Sequence, residues 1–126
     1  MFNPDKYLSV TWLKGGRAYP ELDCFGIVNE IRRDLGLNEW PDFAGVTKDE
    51  GGLNREAKRL MLSLRKCEPC IGAGVACYSA STVTHVGIVV EIGGQLHVAE
   101  CNPGKNVSFI PLARFKRRFI KVEFWQ

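Results

Sequence analysis

Cys24 stands directly after Asp23 in "LDCFGIVNEI", and the only two histidines, His85 and His97, stand in "THVGIVVEI" and "QLHVAE" on either side of Gly93-Gly94. A thiol attacks as its thiolate, and the unpaired N–H groups and dipole of a helix start favour that charge. A nucleophile also needs a base within reach and a third group to orient the base, so one cysteine and two histidines make a complete set. The plainer alternative is a small buried hydrophobe at Cys24, accompanied by one surface and one core histidine. Gly26 costs a helix about 1 kcal/mol against alanine, which suggests that a side chain there would obstruct something approaching the first turn.

Register decides whether the histidines can cooperate. If Gly93-Gly94 is a two-residue turn, odd residues of one strand share a face with even residues of the other, and the imidazoles lie on opposite faces. A three-residue loop, Glu91-Ile92-Gly93, sets His97 across from Gly87 with His85 as its diagonal neighbour, roughly 7–8 Å away in backbone terms. The expectation is therefore the odd-length loop or an equivalent bulge. Glu100 and Asn102 stand ready to orient His85 if the register differs.

The elements that must position these groups follow from periodicity. Asn3-Pro4 reads as a helix start, with a short helix through Tyr7 and Leu8. Cys24, Ile27, Val28, Ile31 and Leu35 recur at helical spacing, with Asp23 as cap and Gly36 as stop. Leu53, Ala57, Leu60, Met61 and Leu64 predict a third helix after the Gly51-Gly52 loop, and Thr47 to Glu50 offers a capping box before it. From Gly74 onward the period becomes that of strands: Val75 to Ser79, Val83 to Val90, Leu96 to Cys101, Val107 to Ile110 and Phe119 to Trp125, the last with Ile120, Val122 and Phe124 on one face. Helices first and about five antiparallel strands after is an α+β pattern.

The 126 residues, 45% hydrophobic and 25% charged, suit one domain over 1–126, since that length allows one core but hardly two. No apolar stretch is long enough to cross a bilayer, and Asn3-Pro4-Asp5-Lys6 lacks the apolar core of a secretory signal. Net charge is only +3, yet Arg114, Lys116, Arg117, Arg118 and Lys121 crowd together near the end. Such a patch suits an anionic polymer, or is simply a solvated face with Phe115, Phe119 and Ile120 interleaved. Five cysteines cannot all pair within the chain, and reduced thiols are the default. Cys67-Glu68-Pro69-Cys70 with Cys77 and Cys101 spells a four-thiolate zinc site only weakly, because structural zinc sites usually bring a second close pair. No metal and no cofactor is expected.

"WLKGGRAYPELDCFGIV" followed by "THVGIVVEIGGQLHVAE" resembles the NlpC-type cell-wall peptidases: an aromatic residue shortly before Gly-Gly, then Asp-Cys-x-Gly-hydrophobic, later His-Val-Gly-Ile and a second His after a glycine turn. The likeness reaches from about Trp12 to about Leu112. It implies a papain-like α+β fold in which the cysteine helix packs on the antiparallel sheet that bears the histidines. It also implies that Cys24 is the nucleophile, His85 the base and His97 the orienter, with the Cys24 backbone N–H at the oxyanion. The implied activity is hydrolysis of amide bonds in peptidoglycan stem peptides, often after γ-D-glutamate. "GAGVACY" looks like the strand preceding the histidine strand, and "VSFIPLARF" like the closing strand and turn. Phe25 replaces the Ser common in cellular members, Lys14 replaces a Trp before Gly-Gly, and no attached wall-binding domain is expected. With "RRDLGL" and "NEWPDF" these features look more like the bacteriophage tail branch. That branch implies phage tail proteins as partners and delivery to the wall by the virion; otherwise the chain is cytoplasmic. Neither nucleic acid nor membrane is an expected partner. The alternatives are a tail or assembly protein that has lost turnover, and an amidase or acyltransferase on another substrate.

Overall fold

The computed structural model describes residues 2–126. Asn3 caps a 3-10 turn over Pro4–Ser9, its Oδ1 accepting from the Asp5 N–H at 3.0 Å. Three two-residue strands follow, β1 (Thr11–Trp12), β2 (Arg17–Ala18) and β3 (Glu21–Leu22), in a small sheet of order β1-β3-β2. Pieces this short carry no period, so nothing in the sequence announces them.

α1 (Cys24–Asp34) begins where expected. Asp23 Oδ1 accepts from the Phe25 and Gly26 N–H groups at 3.0 and 2.9 Å, which satisfies two of the four donors a helix start leaves open. Cys24, Ile27, Val28 and Ile31 form its buried stripe, and Gly36, at φ +74°, ends it. The reason for Gly26 lies within the chain: a Cβ there would come 2.3 Å from the Gly16 carbonyl oxygen. What approaches the first turn is the small β1-β3-β2 sheet.

Residues 37–51 cross the molecule as a strap. Arg17 holds it from one side, donating to the carbonyls of Asp42, Phe43 and Val46 at 2.5, 3.3 and 2.7 Å. Arg32, buried beneath the Trp40 ring at 4.1 Å, donates to Asn38 and Gly72 carbonyls, both at 2.7 Å. The expected capping box is instead a 3-10 turn over Asp49–Gly51, in which Thr47 Oγ1 accepts from the Asp49 N–H at 3.2 Å. α2 (Gly52–Met61) then buries Leu53 and Ala57 and ends a turn earlier than its apolar spacing predicts.

The remaining elements are β4 (Lys66–Cys67), β5 (Gly74–Ser79), β6 (Thr82–Ile92), β7 (Gln95–Asn102), β8 (Asn106–Pro111), α3 (Leu112–Lys116) and β9 (Lys121–Trp125). They build a six-stranded sheet in the order β4-β9-β5-β6-β7-β8, with every neighbouring pair antiparallel. The architecture is thus α+β, with one short strand more than expected. α1 and α2 cover one face, where Ile27, Ile31, Leu53, Ile88, Val90 and Ala99 meet. α3 covers the other, with Phe115 against Val75, Cys77, Val89, Val98 and Phe124. A fully buried side chain of this size contributes about 1.5–3 kcal/mol, so the sheet is fixed from both sides. α3 stands where a turn was expected, because Leu112 and Phe115, three residues apart, dock together on that second face. Ile120 does not share the face of Val122 and Phe124; it precedes β9 and is 94% exposed.

The β6–β7 hairpin corrects the expected three-residue loop. Ile92 pairs with Gln95, and Gly93 and Gly94 both take positive φ, +60° and +78°. A two-residue turn with both central residues left-handed matches the twist of the flanking strands, and a Gly-Gly pair adopts it without strain. Among the described residues no helix is long and apolar enough to cross a membrane.

Candidate active site

Cys24 opens α1 with its sulfur turned inward, and only 4% of the residue is exposed. Burial pushes its thiol up to about 11, against the lowering influence of Lys48, of a backbone hydrogen bond from Val86 and of Arg17, while Asp23 adds to the rise. The helix start alone therefore does not make a thiolate here. The Asp23 carboxylate that caps the helix also places negative charge beside the sulfur, and it is itself held by Arg17 Nη1 at 2.7 Å.

His85 lies on β6 just beyond the last β6–β7 pair, Ile88 with Ala99. Its Nε2 is 2.8 Å from Glu100 Oε1. Both Glu100 oxygens are also bound by Arg118, through Nη1 on Oε2 and Nη2 on Oε1. Burial would raise Glu100, but hydrogen bonds from His85, Arg118 and Asn102 outweigh it and hold the carboxyl at about 2. Being ionised, Glu100 can only accept. Nε2 therefore carries the imidazole proton, and Nδ1 presents a bare lone pair, the tautomer a general base requires. The His85 pKa is lowered, chiefly by burial, with Lys48 and Arg118 adding to the fall and Glu100 opposing it. Phe119 stacks on the ring at 6.3 Å between centroids and 18° between planes.

His97 is not part of this group. The two-residue turn pairs it with Val90, so by strand alternation it faces away from His85, and its Nδ1 meets the Gln95 carbonyl at 3.0 Å. The same register places Glu100, an even-numbered residue of β7, on the face of His85. Of the two alternative orienters, Glu100 makes the direct contact, and Asn102 helps to hold the Glu100 carboxyl low. Arg118 departs from the expected solvated patch by turning its guanidinium onto Glu100. Its position in a run of cations gave no sign of this, since it reaches the site through α3.

Lys48 is the member that sequence reasoning missed. Its Nζ is 3.4 Å from His85 Nδ1, and it shares with Cys24 a cleft of about 640 Å³ also walled by Trp12, Lys14, Phe25 and Pro103. Nothing local marks it, because the strap brings it in from a distant part of the chain. On the far side of Phe25 an apolar hollow of about 520 Å³ opens between α1, α2 and the sheet, with Trp40, Met61, Val86 and Trp125 on its walls.

Cys67 and Cys70 lie near each other at the β4 edge, burial and the Cys70 thiol raising Cys67, and Cys70 Sγ reaches Gln126 Oε1 at 3.4 Å. Cys77 and Cys101 lie apart from them, buried in separate cores, so the four thiols do not converge. Among the described residues no cluster of three or more histidine, cysteine, aspartate or glutamate side chains is arranged to hold a metal ion. The cleft itself holds the Cys24 thiol and the Lys48 ammonium, and Lys48 links it to the oriented neutral imidazole of His85 at 3.4 Å. A thiol with an oriented imidazole is the pair that acyl transfer through sulfur uses. No family model, curated protein or solved structure matches the chain.

Proposed function

We propose that this protein is a cysteine hydrolase of the NlpC type with a papain-like fold, cleaving amide bonds in peptidoglycan stem peptides and carried to the wall by a bacteriophage tail. One observation carries the reading: His85 is held through Nε2 by an ionised carboxylate, so Nδ1 keeps the basic lone pair, and it faces Lys48, which lines the cleft that contains the helix-start cysteine. The order of motifs along the chain supports the substrate and the phage setting.

In this mechanism the Cys24 thiol gives its proton to His85 Nδ1 as sulfur attacks the carbonyl carbon. The Cys24 N–H meets the oxyanion, since the next two N–H groups are taken by Asp23. The C–N bond then breaks, the amine leaves with the proton from Nδ1, and an acyl thioester remains. Water gives a proton to Nδ1 while attacking the thioester, and the acid departs as the proton returns to sulfur. Glu100 fills the orienting role that the family likeness assigned to His97.

The test is incubation of the protein and of Cys24→Ala with purified peptidoglycan and defined stem peptides, with products identified by mass spectrometry. Cleavage by the parent alone is expected, and both proteins should melt within a few degrees of each other. The burial and raised pKa of the thiol favour a second reading, a tail or assembly protein of the same fold without turnover. Absence of products, together with a Cys24 that resists iodoacetamide, would select it.

A further inference from the structure

Resting on the thiol chemistry proposed above, we infer that Lys48 belongs to the catalytic group: its ammonium supplies the positive charge facing Cys24 sulfur, and then the oxyanion, when these become negative. In many thiol enzymes an imidazolium can serve as that counter-charge. Here three features oppose one. The His85 ring is buried, Lys48 stands 3.4 Å from Nδ1, and Arg118 already neutralises the carboxylate that would otherwise sustain a charged imidazole.

The cations around the thiol differ in what they already hold. Arg17 on β2 is engaged by Asp23, and Lys14 at the cleft wall by Asp49. Glu100 on β7 is taken by Arg118. Cys101 on β7, in the same core as Cys24, and Cys77 on β5, in the core on the other face of the sheet, are the remaining titratable groups near it; both are buried and pushed upward, chiefly by burial. Among the described residues Lys48 alone of these cations has no carboxylate partner, although Asp49 and Glu50 follow it directly in the chain, and its one side-chain hydrogen-bond partner is His85 Nδ1 at 3.4 Å. The strap restricts the backbone near it through the Arg17 bonds to the Asp42, Phe43 and Val46 carbonyls. The ammonium thus meets the base at 3.4 Å and lines the same cleft as the nucleophile. When the thiol proton passes to Nδ1, Lys48 and the new imidazolium repel each other, which turns Nζ toward the negative sulfur.

The test reads the thiol directly and needs no substrate. In the full-length chain, the rate of Cys24 carbamidomethylation by iodoacetamide is measured from pH 6 to 10 by peptide mapping, for the parent, Lys48→Met and Lys48→Arg. Since Lys48 is solvent-exposed, a single screened charge at this range is worth about one pH unit. Lys48→Met should therefore raise the midpoint by about one unit and slow labelling near neutral pH about tenfold, and Lys48→Arg should restore most of both. With only two histidines in the chain, the His85 midpoint is readable by NMR, and it too should rise in Lys48→Met as a neighbouring cation is removed. An unchanged midpoint overturns the inference. Faster labelling also overturns it, by showing that Lys48 merely covers the thiol. So does slower labelling with no midpoint shift and no rescue by arginine, which is a packing effect. If the midpoint shifts as expected while no peptide is cleaved, the substrate assignment fails and the role of Lys48 stands.

Discussion

At the scale of single residues, Glu100 and His97 make opposite predictions. Glu100→Gln keeps the shape of the side chain but removes the charge that fixes the His85 tautomer and pairs with Arg118. Activity on whichever substrate is turned over should fall on the order of 100-fold or more, and stability by about 1–2 kcal/mol, because the buried His85 contact is weakened while the half-exposed Arg118 guanidinium is rehydrated. His97→Ala should leave kcat/KM within about twofold, since steady-state kinetics would be reading a side chain on the other face of the sheet. Equal losses in the two variants would refute the register argument. Acid should unfold the protein through the His85–Glu100 pair. His85 has a lowered folded pKa, so its contribution is complete above the ordinary value of 6.5 and declines as pH falls below it. Glu100, held at about 2, contributes fully above its ordinary 4.5, and that contribution is lost between there and about 2. Melting temperature followed against pH should therefore fall continuously from near 6.5 toward 2, and the fall below 4.5 should be shallower in Glu100→Gln.

At the scale of elements, the placement of the nucleophile depends on how α1 leaves the small sheet. The Asp23 N–H donates to the Gly16 carbonyl at 3.1 Å, and that same carbonyl oxygen lies where a Gly26 side chain would be. Gly26→Ala gains helix propensity, about 1 kcal/mol, but drives a Cβ into backbone that cannot swing aside. The net effect expected is a loss of roughly 3 kcal/mol, readable as a shifted denaturation midpoint with an unchanged slope. A neutral or stabilised variant would mean that the β1-β3-β2 sheet can slide off the first turn. α1 announces itself in sequence because cap, apolar stripe and glycine stop all lie within fourteen consecutive residues, Asp23 to Gly36. The strap does not, for its anchors are Arg17 and Arg32, whose partners are backbone carbonyls elsewhere in the chain.

At the scale of the whole molecule, two apolar layers sandwich one sheet, and the free cysteines report on them. Cys77 and Cys101 are 0% and 1% exposed, in different cores, whereas Cys67 and Cys70 are half-buried at the β4 edge. Native-state alkylation should label Cys67 and Cys70 first, with Cys77 and Cys101 reacting only at the rate of global opening. Early labelling of Cys101 would mean that β7 and β8 part from α1 well below the global transition. Such a movement would also expose Cys24.

What the sequence determined by itself is whatever neighbours in the chain can specify: the α+β order, the capped helix that begins at Cys24, the β6–β7 hairpin and the candidacy of Cys24 and His85. The Gly93-Gly94 pair even contained the correct register, since two glycines can both take left-handed φ, and reading it as a two-residue turn puts Glu100 rather than His97 beside His85. Tertiary structure alone decided the rest. Arg118 reaches Glu100 because α3 docks on the second face of the sheet, Lys48 reaches Nδ1 because the strap is pinned by Arg17, and the thiol is raised rather than lowered because burial outweighs the helix start. These are effects of charge and desolvation between residues far apart in sequence, and their sign depends on distances that exist only once the chain has closed on itself.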